Sequence, residues 1–127
     1  MMIPYRVESP TFSYMQCPRY LFEGMPNTLS NDAKLLYVLM LDRVSISGVN
    51  GFLNKDGSIR VYYTIDEIRS KLNCGREKAI SAVHELEKAG LVLKKRQGQG
   101  RANIITLCYP DDAKEIQKKE EINDPQI

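Results

Sequence analysis

Apolar residues follow a helical pattern over most of the segment from residue 30 to residue 44. Ser30, Asn31 and Asp32 are residue types that cap a helix N-terminus. The apolar positions after this cap surround most of a helix and are typical of a buried central helix; they are Ala33, Leu35, Leu36, Tyr37, Leu39, Met40, Leu41 and Val44. The pattern ends at residues 48–51, where glycines predict a loop.

A β-hairpin is predicted directly after this loop. Phe52-Leu53 and the run from Ile59 to Tyr63 are short apolar segments. The dipeptide Asp56-Gly57 between them is a strong turn signal.

The segment from residue 64 to residue 107 predicts a helix, a tight turn, a second helix and a second hairpin. Thr64 and Glu67 form a capping-box pattern that opens the first of these helices. The second runs from Arg76 to Ala89 and is closed by Gly90. Alternating segments 91–97 and 102–108 flank a glycine-rich tip at residues 98–101. This order predicts an α+β fold, a winged helix-turn-helix.

Segments of different composition flank this core. Residues 1–29 form an arm rich in proline and aromatic residues, too apolar for a disordered tail. We expect it to cover its own first helix or to contact a second subunit in a homodimer. Residues 110–127 form a charged tail, interpreted as a linker toward a further C-terminal domain. The predicted domain is therefore 30–109, between an arm at 1–29 and a tail at 110–127.

Charge distribution is more informative than the net charge of +2. The stretch from Lys94 to Arg101 carries four basic residues and no acidic one, whereas acidic residues collect between Asp111 and Asp124. A locally basic hairpin favours an anionic partner. Three scattered cysteines predict a reducing compartment without disulfides. Without a membrane span or signal peptide, the sequence predicts a soluble, cytoplasmic protein.

Candidate contact residues lie on the second helix of the motif and on the wing. A helical wheel places Ala79, Ile80, Val83 and Leu86 inward. Glu85 falls on the outer side, together with the predicted DNA contacts of this helix: Arg76, Glu77, Lys78, Ser81, His84 and Lys88. The predicted wing contacts are Lys94, Lys95, Arg96, Gln99 and Arg101, at a tip able to follow a backbone or enter a minor groove. The alternatives are an ordinary solvated helix face and a plain, charged hairpin turn.

Catalytic and metal-binding patterns are not found. His84 is the single histidine and has no cysteine or carboxylate at ligand spacing, so we interpret it as a surface or contact residue. The sequence shows no nucleophile with a base, no paired acids and no phosphate-binding glycine loop. We therefore predict no enzyme activity, no metal site and no cofactor.

The sequence also resembles the RepA_N family of plasmid replication initiators over roughly residues 18–107. The matching segments begin at Leu29-Ser30-Asn31-Asp32-Ala33-Lys34-Leu35-Leu36-Tyr37 and Leu41-Asp42-Arg43, and continue at Asn50-Gly51-Phe52, Asp56-Gly57, Tyr62-Tyr63-Thr64, Leu72-Asn73-Cys74, Lys78-Ala79 and Leu86. The resemblance implies a DNA-binding domain that recognises double-stranded origin repeats. It also implies a linker to a C-terminal domain that contacts host replication proteins. Family members commonly have serine where this chain has Gly75, so a phosphate contact from a hydroxyl at that position is lost.

Three functions fit the local pattern. Sequence-specific binding to double-stranded DNA at a plasmid origin is favoured by the resemblance. A transcriptional regulator shares every local feature, although no effector-binding domain is visible. A winged-helix protein-interaction module is the third, and the basic wing argues against it.

Overall fold

The computed structural model describes residues 1–23, 29–49, 53–98 and 101–110, and the side chains of 44–49 lie outside this description. A short 3-10 helix, Arg19–Leu21, precedes three α-helices and three strands. The helices are α1 (Asn31–Val49), α2 (Ile65–Leu72) and α3 (Arg76–Lys88); the strands are β1 (Arg60–Tyr63), β2 (Val92–Lys95) and β3 (Asn103–Leu107). The strands form one antiparallel sheet in the order β1-β3-β2.

Helix α1 begins where the capping residues predicted it. The Ser30 hydroxyl accepts a hydrogen bond from the amide of Ala33 at 3.2 Å, which satisfies one free donor of the first turn. The predicted loop at 48–51 was wrong in its first half, because α1 continues through Val49; residues 50–52 lie outside the described part. The helix is also less enclosed than expected, since Leu35 is 56% exposed.

Of the hairpin predicted at 52–63, the described residues from 53 onward retain one antiparallel bridge, between Leu53 and Ile59. The turn itself is present: Gly57 has a φ of +88° and donates its amide to the Asn54 carbonyl. Strand β1 takes its partner from the far end of the domain, with Val61 opposite Ile105. Pairing with β3 places Val61 in the core. The predicted hairpin between Leu53 and β1 would not bring Val61 beside Ile105.

The helix-turn-helix was predicted correctly. Thr64 accepts from the Glu67 amide at 3.0 Å, and Glu67 accepts from the Thr64 amide at 3.1 Å, so the capping box is complete. Asn73 ends α2 in the left-handed conformation, with a φ of 51°. Gly90 follows α3 with a φ of +77°, which favours glycine at this position.

The core lies between the inner faces of the helices and one face of the sheet. Its buried side chains include Leu36, Tyr37 and Met40 of α1, Ile68 of α2, Val83 and Leu86 of α3, Val61 of β1 and Ile105 of β3. Tyr37 donates its hydroxyl hydrogen to the Cys108 carbonyl at 2.5 Å, which ties α1 to the residue after β3. Burial, together with the hydrogen bond to Tyr20, raises the pKa of Tyr37.

The predicted arm is divided between packed and exposed residues. Leu21 is 2% exposed within the core, and the Tyr20 ring contacts Tyr37 edge-on. Other large apolar side chains of the arm are exposed: Met1, Met2, Ile3, Tyr5, Val7, Phe12, Tyr14, Met15 and Phe22. The last part of the arm therefore belongs to the domain, and the apolar residues before it remain uncovered. The predicted tail beyond Pro110 lies outside the described residues.

Candidate nucleic-acid interface

Helix α3 buries one side and presents the other, largely as the helical wheel predicted. Ala79, Val83 and Leu86 are buried, joined by Ala82, whereas Ile80 is only half-buried. The predicted contact residues of this helix are all exposed: Arg76, Glu77, Lys78, Ser81, His84 and Lys88.

Glu85 was wrongly placed on the outer side of α3. Its carboxylate accepts from the Ser30 amide at 2.8 Å and from the Ser30 hydroxyl at 2.7 Å. The wheel misplaced it because angular position alone does not show that the start of α1 lies against this part of α3. Glu85 therefore joins α3 to α1.

The wing presents its basic residues on two different faces. Lys94 is opposite the buried Ile105, and Lys95 is opposite Ile104. Because neighbouring side chains of a strand point to opposite faces, Lys94 and Lys95 cannot contact the same surface. The Lys94 side chain is only 19% exposed, whereas Lys95, Arg96 and Arg101 are exposed. Gln99, also predicted as a contact, lies outside the described residues.

A groove separates the N-terminal ends of α2 and α3 from the wing. We call it the wing groove; its described lining consists of Thr64, Ile65, Asp66, Arg76, Arg96, Gly98, Arg101 and Asn103. It continues into a second depression that shares Arg76, Arg96 and Asn103 and adds His84 and Lys94. The structure therefore brings together five predicted contacts: Arg76, His84, Lys94, Arg96 and Arg101. Glu77, Lys78, Ser81, Lys88 and Lys95 lie outside the linings of both depressions.

Asn103 and Thr64 are groove residues that the sequence analysis did not select. Asn103 begins β3, where it pairs with Tyr63, and it lines both depressions. Alternation along the second wing strand could have suggested Asn103, because Ile105 is buried two residues later. For Thr64 the sequence predicts only a helix cap.

The arginines that line the groove have no acidic partner among the described residues. Among the described residues, no carboxylate forms an ion pair with Arg76, Arg96 or Arg101. Asp66 is the one acidic residue of the described lining, and Arg69 lies 3.4 Å from it.

Lys94 is the basic groove residue that does have an acidic neighbour. Its ammonium lies 3.4 Å from Glu87, and Nδ1 of His84 lies 3.7 Å from the same carboxylate oxygen. Glu87 therefore neutralises part of the positive charge at this end of the groove.

One arginine behind the groove holds the start of α2. Arg43 donates to the Tyr62 carbonyl at 2.7 Å and to Glu67 at 3.0 Å, and its guanidinium lies 3.8 Å from the centre of the Tyr63 ring. Partial burial disfavours the charged form of Glu67 and by itself would raise the pKa of Glu67. Hydrogen bonds from the Thr64 amide and Arg43, together with the positive charge of Arg43, outweigh this effect, so the pKa of Glu67 is lowered. This network fixes Thr64 and the groove wall that follows it.

Other chemistry is limited in the described part of the chain. Cys17, Cys74 and Cys108 are free thiols there. The described residues contain no group of three or more histidine, cysteine or acidic side chains placed to hold a metal ion. None of the helices within them is long and apolar enough to cross a membrane.

Three helices, a three-stranded antiparallel sheet and a β2–β3 wing beside α3 define a winged helix-turn-helix domain. The family described as "Replication initiator protein A (RepA) N-terminus" matches residues 13–122. The chain belongs to this family.

A curated relative also matches most of the chain. A "41 kDa protein" of Lactobacillus helveticus is 34% identical over 83 residues, which is 65% of this chain and 23% of the relative's length. The chain thus spans about a quarter of that protein.

Solved structures similar to this chain include two that are described as a DNA-binding domain and a DNA complex. One is described as "N-Terminal domain of DNA binding protein", with a TM-score of 0.67, 27% identity and coverage of 94% of this chain and 100% of that one. Another, "Structure of Rep-DNA complex", has a TM-score of 0.68, 29% identity and coverage of 91% of each chain. A third, "Structure of MDR initiator", has a TM-score of 0.65, 32% identity and coverage of 85% of this chain and 89% of that one.

Proposed function

We propose that this domain binds double-stranded DNA sequence-specifically at the repeats of a plasmid replication origin and so initiates replication. The observation that carries the proposal is the wing groove, where Arg76, Arg96 and Arg101 have no acidic partner among the described residues. Guanidinium groups match phosphate oxygens in geometry and charge. Membership of a replication-initiator family and similarity to a structure described as a Rep-DNA complex support the same function.

The two elements have different proposed roles. The exposed start of α3, with Arg76, Glu77, Lys78 and Ser81, contacts base edges, because the first turns of a recognition helix are the part that enters the major groove. His84 and Lys88 extend this surface along the helix. The wing residues Lys94, Lys95, Arg96, Gln99 and Arg101 contact phosphates, which position the protein without reading sequence.

We further propose two protein partners. The uncovered apolar residues of the arm contact a second copy of the chain, giving a homodimer. A C-terminal domain beyond residue 127 contacts host replication proteins. This second proposal rests on family membership and on the fraction of the Lactobacillus helveticus relative that the chain spans.

Binding of labelled duplex from the origin of the parent replicon, beside a scrambled duplex of equal length, tests the main proposal. We expect tighter binding to the origin duplex, with a slope of log K against log salt of roughly −4 to −5 for about four to six phosphate contacts. A slope near zero contradicts the electrostatic account. Failure to bind either duplex favours the protein-interaction module, and preference for a promoter over the origin favours a transcriptional regulator.

A further inference from the structure

Basic residues that are neighbours in the sequence of the wing differ in whether they line the groove. Arg96 lines the wing groove together with Arg76 and Arg101, whereas Lys95 does not. Lys95 lies opposite Ile104 on the sheet face that points away from the buried Ile105. A partner lodged in the groove would meet Arg96 and leave Lys95 in solvent.

Positive charge in the groove comes from two separate elements. Arg76 is the first residue of α3, and Arg96 and Arg101 flank the tip of the wing. Like charges that line one groove repel each other unless an anion lies between them. Asp66, the one acidic residue of the described lining, lies 3.4 Å from Arg69, which offsets part of its negative charge.

The uncharged lining suits a nucleic-acid backbone. Asn103 and Thr64 offer neutral hydrogen-bonding groups, and Ile65 offers an apolar surface for a sugar. The three guanidinium groups of this lining have no acidic partner among the described residues and match the net negative charge of a phosphodiester, whereas a base edge carries no net charge. The chemistry therefore favours a phosphodiester over a base.

We propose that one strand of the DNA backbone passes through the wing groove beside Arg76, with a phosphate held in a clamp formed by Arg96 and Arg101 of the wing. This proposal rests on the proposed DNA-binding function and specifies which surface of the domain the backbone crosses. The wing grips phosphate and does not read sequence in a minor groove. Asn103 lies on the floor of the clamp, and Lys95 and Lys88 are outside it.

Two double variants of equal charge change test the clamp. Arg96→Gln/Arg101→Gln removes two charges from the groove, and Lys55→Gln/Lys71→Gln removes two charges from exposed positions outside the groove and outside the proposed DNA contacts. We measure fluorescence anisotropy with the origin duplex and a scrambled duplex across a range of salt concentrations. The groove variant is expected to make the salt slope shallower by about 2, because each lost phosphate contact contributes about 0.9. Its affinity should fall by at least about tenfold at low salt for both duplexes, with their ratio unchanged, and the slope of the control should change by less than about 0.5.

A second pair of variants adds charge without removing an arginine. Asn103→Asp places a carboxylate on the groove floor at nearly constant volume, and Asn31→Asp makes the same change at the exposed start of α1. We expect Asn103→Asp to weaken both duplexes about tenfold or more at low salt and Asn31→Asp to have little effect. Thermal unfolding of each variant establishes that the domain is folded.

The outcomes separate the clamp from the function on which it rests. Equal slopes for the groove and control double variants, or a groove variant that alters the ratio between duplexes, overturn the clamp while leaving DNA binding intact. An Asn103→Asp protein that is folded and binds normally does the same. Loss of duplex binding by the unaltered protein overturns the proposed function, and the clamp with it.

Discussion

Arg43 shows how one side chain can join three parts of this domain. It extends from α1 to a carbonyl of β1, to the capping carboxylate of α2 and to the face of Tyr63. A charged group that is largely removed from water needs such partners to offset its desolvation. Arginine meets this need because its planar guanidinium carries five donors and can reach several acceptors at once.

The titration of Glu67 should make the stability of the domain depend on pH. The pKa of Glu67 is lowered in the folded state, so its contribution is present above the ordinary glutamate value and is lost as pH falls through the folded value. We expect Glu67→Gln to lower the free energy of unfolding by about 0.5–1 kcal/mol at pH 7, because glutamine can keep the capping hydrogen bond but loses the charge that pairs with Arg43. The difference from the unaltered protein should shrink as pH falls below about 4.3.

Urea unfolding at a series of pH values measures this effect, with Glu77→Gln as the matched control. Glu77 is exposed in the first turn of α3, and the structure shows no partner for it among the described residues. A constant difference between Glu67→Gln and the unaltered protein from pH 7 to pH 3 contradicts the proposed role of the Glu67 charge.

Glu87 should limit the contribution of Lys94 to DNA binding. Because Glu87 lies 3.4 Å from the Lys94 ammonium, a phosphate would have to compete with it. We expect Lys94→Ala to lower DNA affinity less than Arg96→Ala does, and Glu87→Gln to raise affinity about 2- to 5-fold at low salt, an effect of the size expected for a partly exposed ion pair. Anisotropy measurements at two salt concentrations test this, and a Lys94→Ala loss larger than that of Arg96→Ala would refute it.

At the scale of elements, α3 carries the proposed sequence reading. Lys78→Ala should cost on the order of 1–3 kcal/mol in binding and relax the preference at particular base pairs, as should Arg76→Ala. Lys95→Ala should leave the preference unchanged and weaken all sequences alike, by less than Arg96→Ala if the clamp is correct. Binding to a set of single-base variants of one origin repeat measures this, and an intact preference after both α3 substitutions would assign recognition to the wing or the arm.

Elements whose ends or turns are determined by neighbouring residues could be predicted from the sequence. Pairings between segments that are far apart in the sequence could not. The capping box, the left-handed Gly90 and the wing strands each follow from residues within a few positions of one another. Strand β1 pairs with β3 and not with the segment at Leu53 that the predicted hairpin required. The β1–β3 pairing buries Val61, and no pattern within the local sequence specifies it. The surroundings of Glu85 and Asn103 likewise depend on elements that are distant in sequence and adjacent only in the folded domain.

At the scale of the whole molecule, the arm carries exposed apolar residues that could contact a second protein chain. The expectation that the arm covers its own domain is met in part, because Leu21 packs into the core while Tyr5, Phe12 and Tyr14 stay exposed, and the homodimer stays a prediction. Exposed apolar side chains in such number are typical of a surface that contacts another protein. Two linked domains would also gain affinity for repeated sites through effective concentration.

We expect the arm to be required for a homodimer, and the structure indicates where to shorten it. A chain that begins at Pro18 removes the exposed apolar residues from Met1 to Met15 and keeps Leu21, whose loss would open the core. Sedimentation equilibrium should show a dimer for the full chain and a monomer for the shortened one. A full chain that remains monomeric at high micromolar concentration, or a shortened chain that dimerises equally well, would rule out this contact.

The strand order β1-β3-β2 has a consequence for synthesis of the protein on the ribosome. The central strand, β3, is the last of the described strands to be made, and among these strands β1 is hydrogen-bonded to β3 alone. At about 5–20 residues per second, the interval between completing β1 and completing β3 is roughly 2–9 s. Throughout that interval the nascent chain carries Val61 and Tyr63, both buried in the finished domain, without their strand partner. The sheet therefore forms only at the end of translation of this domain, and β1 is the segment that a ribosome-bound chaperone would protect in the meantime.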